Sequence, residues 1–165
     1  MNKTQLAPAD TLTTPCFAGA SELAETAFLR GKTLYEEGMF CCEAVLSVVN
    51  EAAGTPFPPD VMRLGSGFWG GLAGDGSTCG ALVGSIMAIG LLAGRTATNG
   101  EWESCTDASE EIRTRFREAC GGVSCGGLVR PFGGMDGEGR RGRCAEITGT
   151  ASALVIALAE ERGWL

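Results

Sequence analysis

The sequence predicts an all-helical fold, an antiparallel bundle of four to five helices with a glycine-rich loop ahead of a central buried helix. Apolar residues recur at spacings of three and four along several segments. The segment 79–93 is apolar on nearly every side, as expected of a helix inside the core. No alternating pattern is long enough for a useful strand. The 165 residues, 44% of them hydrophobic, suffice for one domain with a core.

The first part of the chain is expected to differ from the rest. Residues 1–18 carry prolines and threonines without apolar periodicity, which predicts a flexible lead-in. Residues 19–165 then form a single helical domain. The hydroxyl of Ser21 can cap a first helix that extends to Gly38, and a second helix is predicted at 41–53.

The remaining elements follow a glycine-rich stretch at 65–76, which predicts a loop. Asp107 with Glu110 three residues later resembles a capping box and marks the expected start of the fourth helix. Further helices are predicted at 79–93, at a short turn that begins with Ser124 and Cys125, and at 144–162.

Composition excludes several classes of function. The formal net charge of −7 argues against nucleic acid or an anionic membrane as the main partner. Because the chain has no histidine, it cannot build a Ser-His-Asp triad, a mixed Cys/His zinc site or the CxxCH attachment of a c-type haem.

The expected location of the protein is the cytoplasm. The N-terminal residues contain no apolar run of the kind a secretory signal needs. The longest apolar stretches fall short of the roughly 20 residues of a membrane-spanning helix, so no membrane insertion is expected. Thiols stay reduced in the cytoplasm, so the eight cysteines are interpreted as ligands or redox groups rather than structural disulfides.

Four cysteines share one kind of position. Each is predicted to lie in the first turn of a helix, where free backbone N–H groups and the helix dipole favour a thiolate and lower the thiol pKa. Thr78 and Ser124 are candidate N-caps for two of these helices. The four are Cys41, Cys79, Cys125 and Cys144. Buried structural thiols are the alternative interpretation.

The other cysteines show no shared placement and are interpreted as incidental. They are Cys16, Cys42, Cys105 and Cys120. Cys42 is the strongest exception because it follows Cys41 directly. The arginines Arg140, Arg141 and Arg143 are interpreted as part of a solvated loop, with attraction of an acidic partner as the alternative.

The ordered cysteines resemble the hallmarks of a known family. Cys79-Gly80-Ala81-Leu82-Val83-Gly84 matches the pattern CGAxxG, preceded by Gly38-x-x-Cys41 and followed by Cys125 and Cys144. Over about residues 25–160 the chain resembles the C_GCAxxG_C_C family, whose members are described as redox-active. The resemblance implies a redox role but no defined reaction. A related domain in split-Soret cytochromes accompanies c-type haem, which cannot be carried over to a chain without histidine.

Three classes of function remain open at this point. The first is electron transfer or redox sensing by an iron–sulfur cluster on Cys41, Cys79, Cys125 and Cys144, with an all-cysteine zinc site as a variant. The second is a metal-free thiol–disulfide protein that uses the same cysteines. The third is a binding or assembly module with structural cysteines. The redox partner protein is not identified by the sequence, and a homodimer is conceivable.

Overall fold

The structure, a computed structural model, describes residues 21–165, so the predicted lead-in at 1–18 lies outside the described residues. Within 21–165 the chain is all-helical and contains no strand. The α-helices are α1 (Glu22–Glu36), α2 (Cys41–Ala52), α3 (Gly80–Ala93), α4 (Glu103–Cys120), α5 (Cys125–Val129) and α6 (Arg140–Glu161). Two 3-10 helices, Pro59–Phe68 and Arg130–Phe132, lie between them.

The helix with the most neighbours is α6, which packs against α1, α2, α3 and α4. Its 22 residues include buried side chains on most of its circumference. The pairing of α6 with α1 is close because small residues meet there: a Cβ on Gly31 would lie 2.3 Å from Ser152 Oγ. The apolar helix α3 contacts α2, α4 and α6 but leaves one side half-buried or exposed, so the most central helix is α6 rather than α3.

Two predicted N-caps are confirmed. Ser21 accepts a hydrogen bond from the Ala24 N–H at the start of α1, and Ser124 accepts one from the Gly127 N–H at the start of α5. Each hydroxyl satisfies a backbone donor that the first turn of a helix leaves free.

Three predicted helix starts are wrong. Helix α4 begins at Glu103 rather than Asp107, and α6 begins at Arg140 rather than Cys144. In α3 the N-cap residue is Cys79 itself, so Thr78 is not the cap. Part of the predicted glycine-rich loop at 65–76 is also helical, because the 3-10 helix extends to Phe68. Among residues 21–165, no helix is both long enough and apolar enough to cross a bilayer.

Candidate functional site

All four predicted cysteines line one cavity. Its volume is about 110 Å³, several times the roughly 30 Å³ that a water molecule occupies in the liquid. The cavity is lined by Tyr35, Phe40, Cys41, Trp69, Gly70, Cys79, Cys125, Arg140, Cys144 and Ile147. The four thiols therefore come from four different helix regions, and the structure records each of them as a free cysteine.

A short backbone pairing brings Cys79 and Cys125 to the same side of the cavity. Thr78 and Ser124 form an isolated antiparallel bridge. The Cys79 N–H donates to Val123 O at 2.8 Å, and the Cys125 N–H donates to Ser77 O at 2.6 Å. Because side chains alternate along extended backbone, the residues that flank the bridge point to the same face. The bridge thus places two thiols together before α3 and α5 diverge.

The glycines of the CGAxxG motif bring Cys41 close to this pair. A Cβ on Gly80 would lie 2.7 Å from Cys41 Sγ and 2.5 Å from Phe68 O, so only a glycine leaves room for the sulfur. One turn later, a Cβ on Gly84 would lie 2.8 Å from Cys42 O. The two glycines are four residues apart and share one face of α3. The two glycines of the motif therefore allow α3 to approach the N-terminus of α2 closely.

The fourth thiol is held by α6. Cys144 is the fifth residue of this helix, in its second turn, so the expectation of a first-turn position is wrong for Cys144. Arg140 lies four residues earlier and therefore on the same helix face, and both residues line the cavity. Tyr35 lines the cavity as well. Burial is the largest cause that raises the pKa of Tyr35. Cys144 raises this pKa further, by its charge and by a hydrogen bond with Tyr35.

The expected lowering of the thiol pKa is wrong for three of the four cysteines. Burial, the largest cause, raises the pKa of Cys41 well above its usual range, raises that of Cys79 to about 12, and raises that of Cys125. Neighbouring sulfurs raise these pKa values further, because two thiolates close together repel each other. In the metal-free protein these three thiols are therefore protonated at neutral pH.

The helix terminus nevertheless acts on Cys79 in the expected direction. The backbone N–H groups of Ala81 and Leu82 at the start of α3 hydrogen-bond to Cys79 and oppose the rise in its pKa. Arg140 similarly lowers the pKa of Cys125 by its positive charge. Burial outweighs these effects, and sequence reasoning missed it because helix position does not reveal how deeply a side chain is enclosed.

Two aromatic side chains line the cavity and are also exposed to solvent. The ring centroids of Phe40 and Trp69 lie 6.4 Å apart, and each residue is 44% exposed. Sequence reasoning did not assign Phe40 or Arg140 to the site. The sequence does contain a signal for Arg140, because it precedes Cys144 by four residues. Had the last helix been predicted to begin at Arg140, the two residues would have been expected on the same helix face.

The other cysteines of the described residues do not line this cavity. Cys42 is fully buried, with its sulfur 3.8 Å from the Met87 sulfur, and burial raises its pKa to about 12. Cys120 is buried at the end of α4, and Cys105 is partly buried against the core. The structure thus separates Cys42 from its neighbour Cys41. Cys16 lies outside the described residues.

The donors at the cavity suit a soft metal centre but are not arranged for a single ion. Thiolates are the ligands that zinc and iron–sulfur clusters prefer. Within residues 21–165, no group of three or more Cys, Asp or Glu side chains is arranged as the ligands of one metal ion. A cationic side chain also lines the cavity: Arg140 is half-buried and donates to Met135 O through Nη1.

The fold and the cavity define the class of protein: it is a helical protein in which four free cysteines line one cavity. A family model described as "Putative redox-active protein (C_GCAxxG_C_C)" matches residues 39–158, which is most of the chain. The chain belongs to this family. It is also 29% identical over 143 residues to an uncharacterized protein of Archaeoglobus fulgidus, a match that covers 82% of this chain and 94% of that protein. No solved structure matches the chain.

Proposed function

We propose that the protein is a small electron-transfer or redox-sensing protein that holds an iron–sulfur cluster on Cys41, Cys79, Cys125 and Cys144. One observation carries the proposal: four thiols from four helix regions line the same cavity. Four cysteines are the usual ligand number of such clusters. When bound, the cluster would supply one-electron transfer, and the family description as redox-active agrees with a redox role of some kind.

The room in the cavity favours a cluster over a single zinc ion. A zinc ion binds four thiolates directly, with Zn–S bonds of about 2.3 Å, whereas a cluster places several metal and sulfide atoms between its ligands. The cavity of about 110 Å³ offers room for a group of several atoms.

The surrounding residues suit a buried negative centre. Four thiolates would carry four negative charges, and Arg140 is the cationic side chain that lines the cavity. The N–H groups of Ala81 and Leu82 hydrogen-bond to the Cys79 sulfur, and such bonds tune the potential of a cluster. Phe40 and Trp69 contribute apolar surface to the lining of the cavity. The raised thiol pKa values are compatible with this role because metal binding displaces the thiol protons.

A metal-free thiol–disulfide role is the second candidate, since the same cysteines are free and share one cavity. One observation disfavours it. Attack on a disulfide requires a thiolate, and burial raises the pKa of Cys79 to about 12.

The cellular setting is part of the same proposal. A cluster on free thiols requires reducing surroundings, which are those of the cytoplasm. The electron partner is a protein or small molecule that reaches the side of the cavity near Phe40 and Trp69. Sedimentation analysis of the purified protein would determine whether it forms a homodimer.

Anaerobic purification followed by elemental analysis tests the proposal. The cluster assignment predicts a brown protein with iron and acid-labile sulfide in equal amounts, and visible absorption that bleaches on reduction. Zinc without sulfide would replace the cluster by a single-ion site. A colourless, metal-free protein that stays metal-free after anaerobic incubation with iron and sulfide, but forms disulfides on oxidation, would support the thiol–disulfide role.

A further inference from the structure

A second cavity adjoins the four-cysteine cavity. It is an open cleft of about 450 Å³, within the roughly 300–1,000 Å³ typical of small-molecule sites. Tyr35, Phe40 and Arg140 line both cavities and form the wall between them. The remaining lining residues of the cleft are Gly38, Met39, Met135, Asp136, Gly137 and Arg141.

The cleft is locally basic, although the chain as a whole carries a net charge of −7. Arg140 and Arg141 are the first two residues of α6, so the positive end of a 22-residue helix lies at the same place. Backbone carbonyls hold both arginines in position. Arg140 Nη1 donates to Met135 O, and Arg141 Nη2 donates to Glu36 O, each at 2.6 Å. Each guanidinium has five N–H donors, so each has donors beyond the one that its carbonyl accepts.

Not all of the Arg140 guanidinium is open to the cleft. Its Nε is buried and lacks a hydrogen-bond partner among the described residues, as does Nε of Arg143 outside the cleft, so this atom is not evidence of a ligand. A carboxylate in the cleft would instead bind the accessible guanidinium nitrogens of Arg140 and Arg141, because planar carboxylates pair with the arginine fork through two parallel hydrogen bonds.

The other walls define the rest of the ligand. Met39, Met135 and Phe40 give the cleft an apolar side, and methionine sulfur packs favourably against aromatic rings. Asp136 is exposed at the cleft and would repel a second negative charge. From these features we propose that the cleft binds a small organic monocarboxylate with an aromatic or similarly compact apolar body. The ligand would lie one side chain away from the four-cysteine cavity.

This site does not depend on the proposed cluster, so the two proposals can fail separately. Its test is isothermal titration calorimetry of the full-length, anaerobically purified protein with benzoate as the probe. Benzoate is expected to bind saturably with a Kd near or below about 1 mM. Benzyl alcohol, which has the same ring without the charge, and phthalate, which has a second carboxylate, should each bind about tenfold more weakly or worse.

Matched arginine variants locate the site. Arg141→Met should weaken benzoate binding about tenfold or more, because a charge-assisted hydrogen bond is lost. Arg113→Met removes the same charge from an exposed position on α4 and should leave binding unchanged. Arg140→Gln is the second variant, with folding checked by circular dichroism. Absence of saturable benzoate binding, equal binding of benzyl alcohol, or an equal effect of Arg113→Met and Arg141→Met would overturn the proposal.

Discussion

The Cys41 sulfur occupies the space that a side chain on residue 80 would need. A Cβ on Gly80 would lie 2.7 Å from Cys41 Sγ and 2.5 Å from Phe68 O. Real Cβ atoms do not approach other atoms this closely, so any larger residue must displace the sulfur or separate α2 from α3. Gly80, the first glycine of the CGAxxG motif, is therefore needed for the observed position of the Cys41 sulfur, which is a candidate ligand.

Replacement of Gly80 by alanine should therefore damage both the fold and the site. We expect Gly80→Ala to lower the free energy of unfolding by about 1–3 kcal/mol through overpacking. The matched control is Gly90→Ala in the same helix, where a Cβ meets nothing within 4 Å. This control should be neutral or gain up to about 1 kcal/mol from helix propensity. Urea unfolding measures both, and equal stability of the two variants would contradict the packing argument.

The middle of α4 and the C-terminal end of α6 are joined by ion pairs whose contribution should depend on pH. Arg162 pairs with Glu111 at 2.7 Å, Arg115 pairs with Glu161 at 2.6 Å, and Arg115 also pairs with Glu111. These hydrogen bonds to arginine lower the pKa of Glu111 below its ordinary value of 4.5. A lowered pKa gives stability that is present above pH 4.5 and is lost as the pH falls through the lowered pKa.

Glu111→Gln should therefore cost stability only where the carboxylate is ionised. The groups are partly exposed, so we expect a loss below about 1 kcal/mol at pH 7. The difference from the wild-type protein should shrink towards zero near pH 3. Thermal unfolding at both pH values measures it, with Glu110→Gln as the control on the same helix. A difference that grows as the pH falls would show the opposite sign and contradict the assignment.

Burial of the thiols predicts slow chemistry in the reduced, metal-free protein. Because the pKa of Cys79 is raised to about 12, its thiolate fraction at pH 7 should be roughly a thousandfold below that of a free cysteine. Iodoacetamide labelling followed by mass spectrometry should show little reaction of Cys79 in the folded chain and rapid reaction after unfolding in guanidinium. Fast labelling of Cys79 in the folded protein at pH 7 would contradict the effect of burial.

The role of the N-terminal residues stays a prediction. Removal of residues 1–18 should leave the thermal midpoint unchanged, because the segment has no periodic apolar face. The truncated chain retains Ser21, which caps α1. A clear fall of the midpoint on truncation would show that the segment packs against the helical domain.

The helical class could be predicted because apolar periodicity is local, and the four cysteines were singled out by their local positions near predicted helix starts and by the resemblance to the family motif. Apolar periodicity revealed the helices, and the hydroxyl caps at Ser21 and Ser124 fixed two of their starts. The start of α6 was missed because Gly139 and Gly142 are poor helix formers that resemble a loop. In the structure the helix extends through Gly142 and places Arg140 beside Cys144 at the cavity.

Other features depend on residues far apart in the chain and could not be predicted from local patterns. The pairing of Thr78 with Ser124 joins segments 46 residues apart. The raised thiol pKa values follow from burial by several helices at once. Gly80 can be recognised in the sequence as part of a motif. The reason for a glycine there, its close approach to the Cys41 sulfur, becomes visible only in the packed structure of α2 and α3.

The most direct test of the central claim is the iron content of single cysteine variants. Serine would replace each of Cys41, Cys79, Cys125 and Cys144 in turn, and Cys105→Ser would serve as the control outside the cavity. If the four thiols hold one cluster, each of the four variants should lose most of the iron and sulfide found in the wild-type protein, while Cys105→Ser retains both. Full iron and sulfide in any of the four variants, or an equal loss in Cys105→Ser, would contradict a single cluster on these ligands.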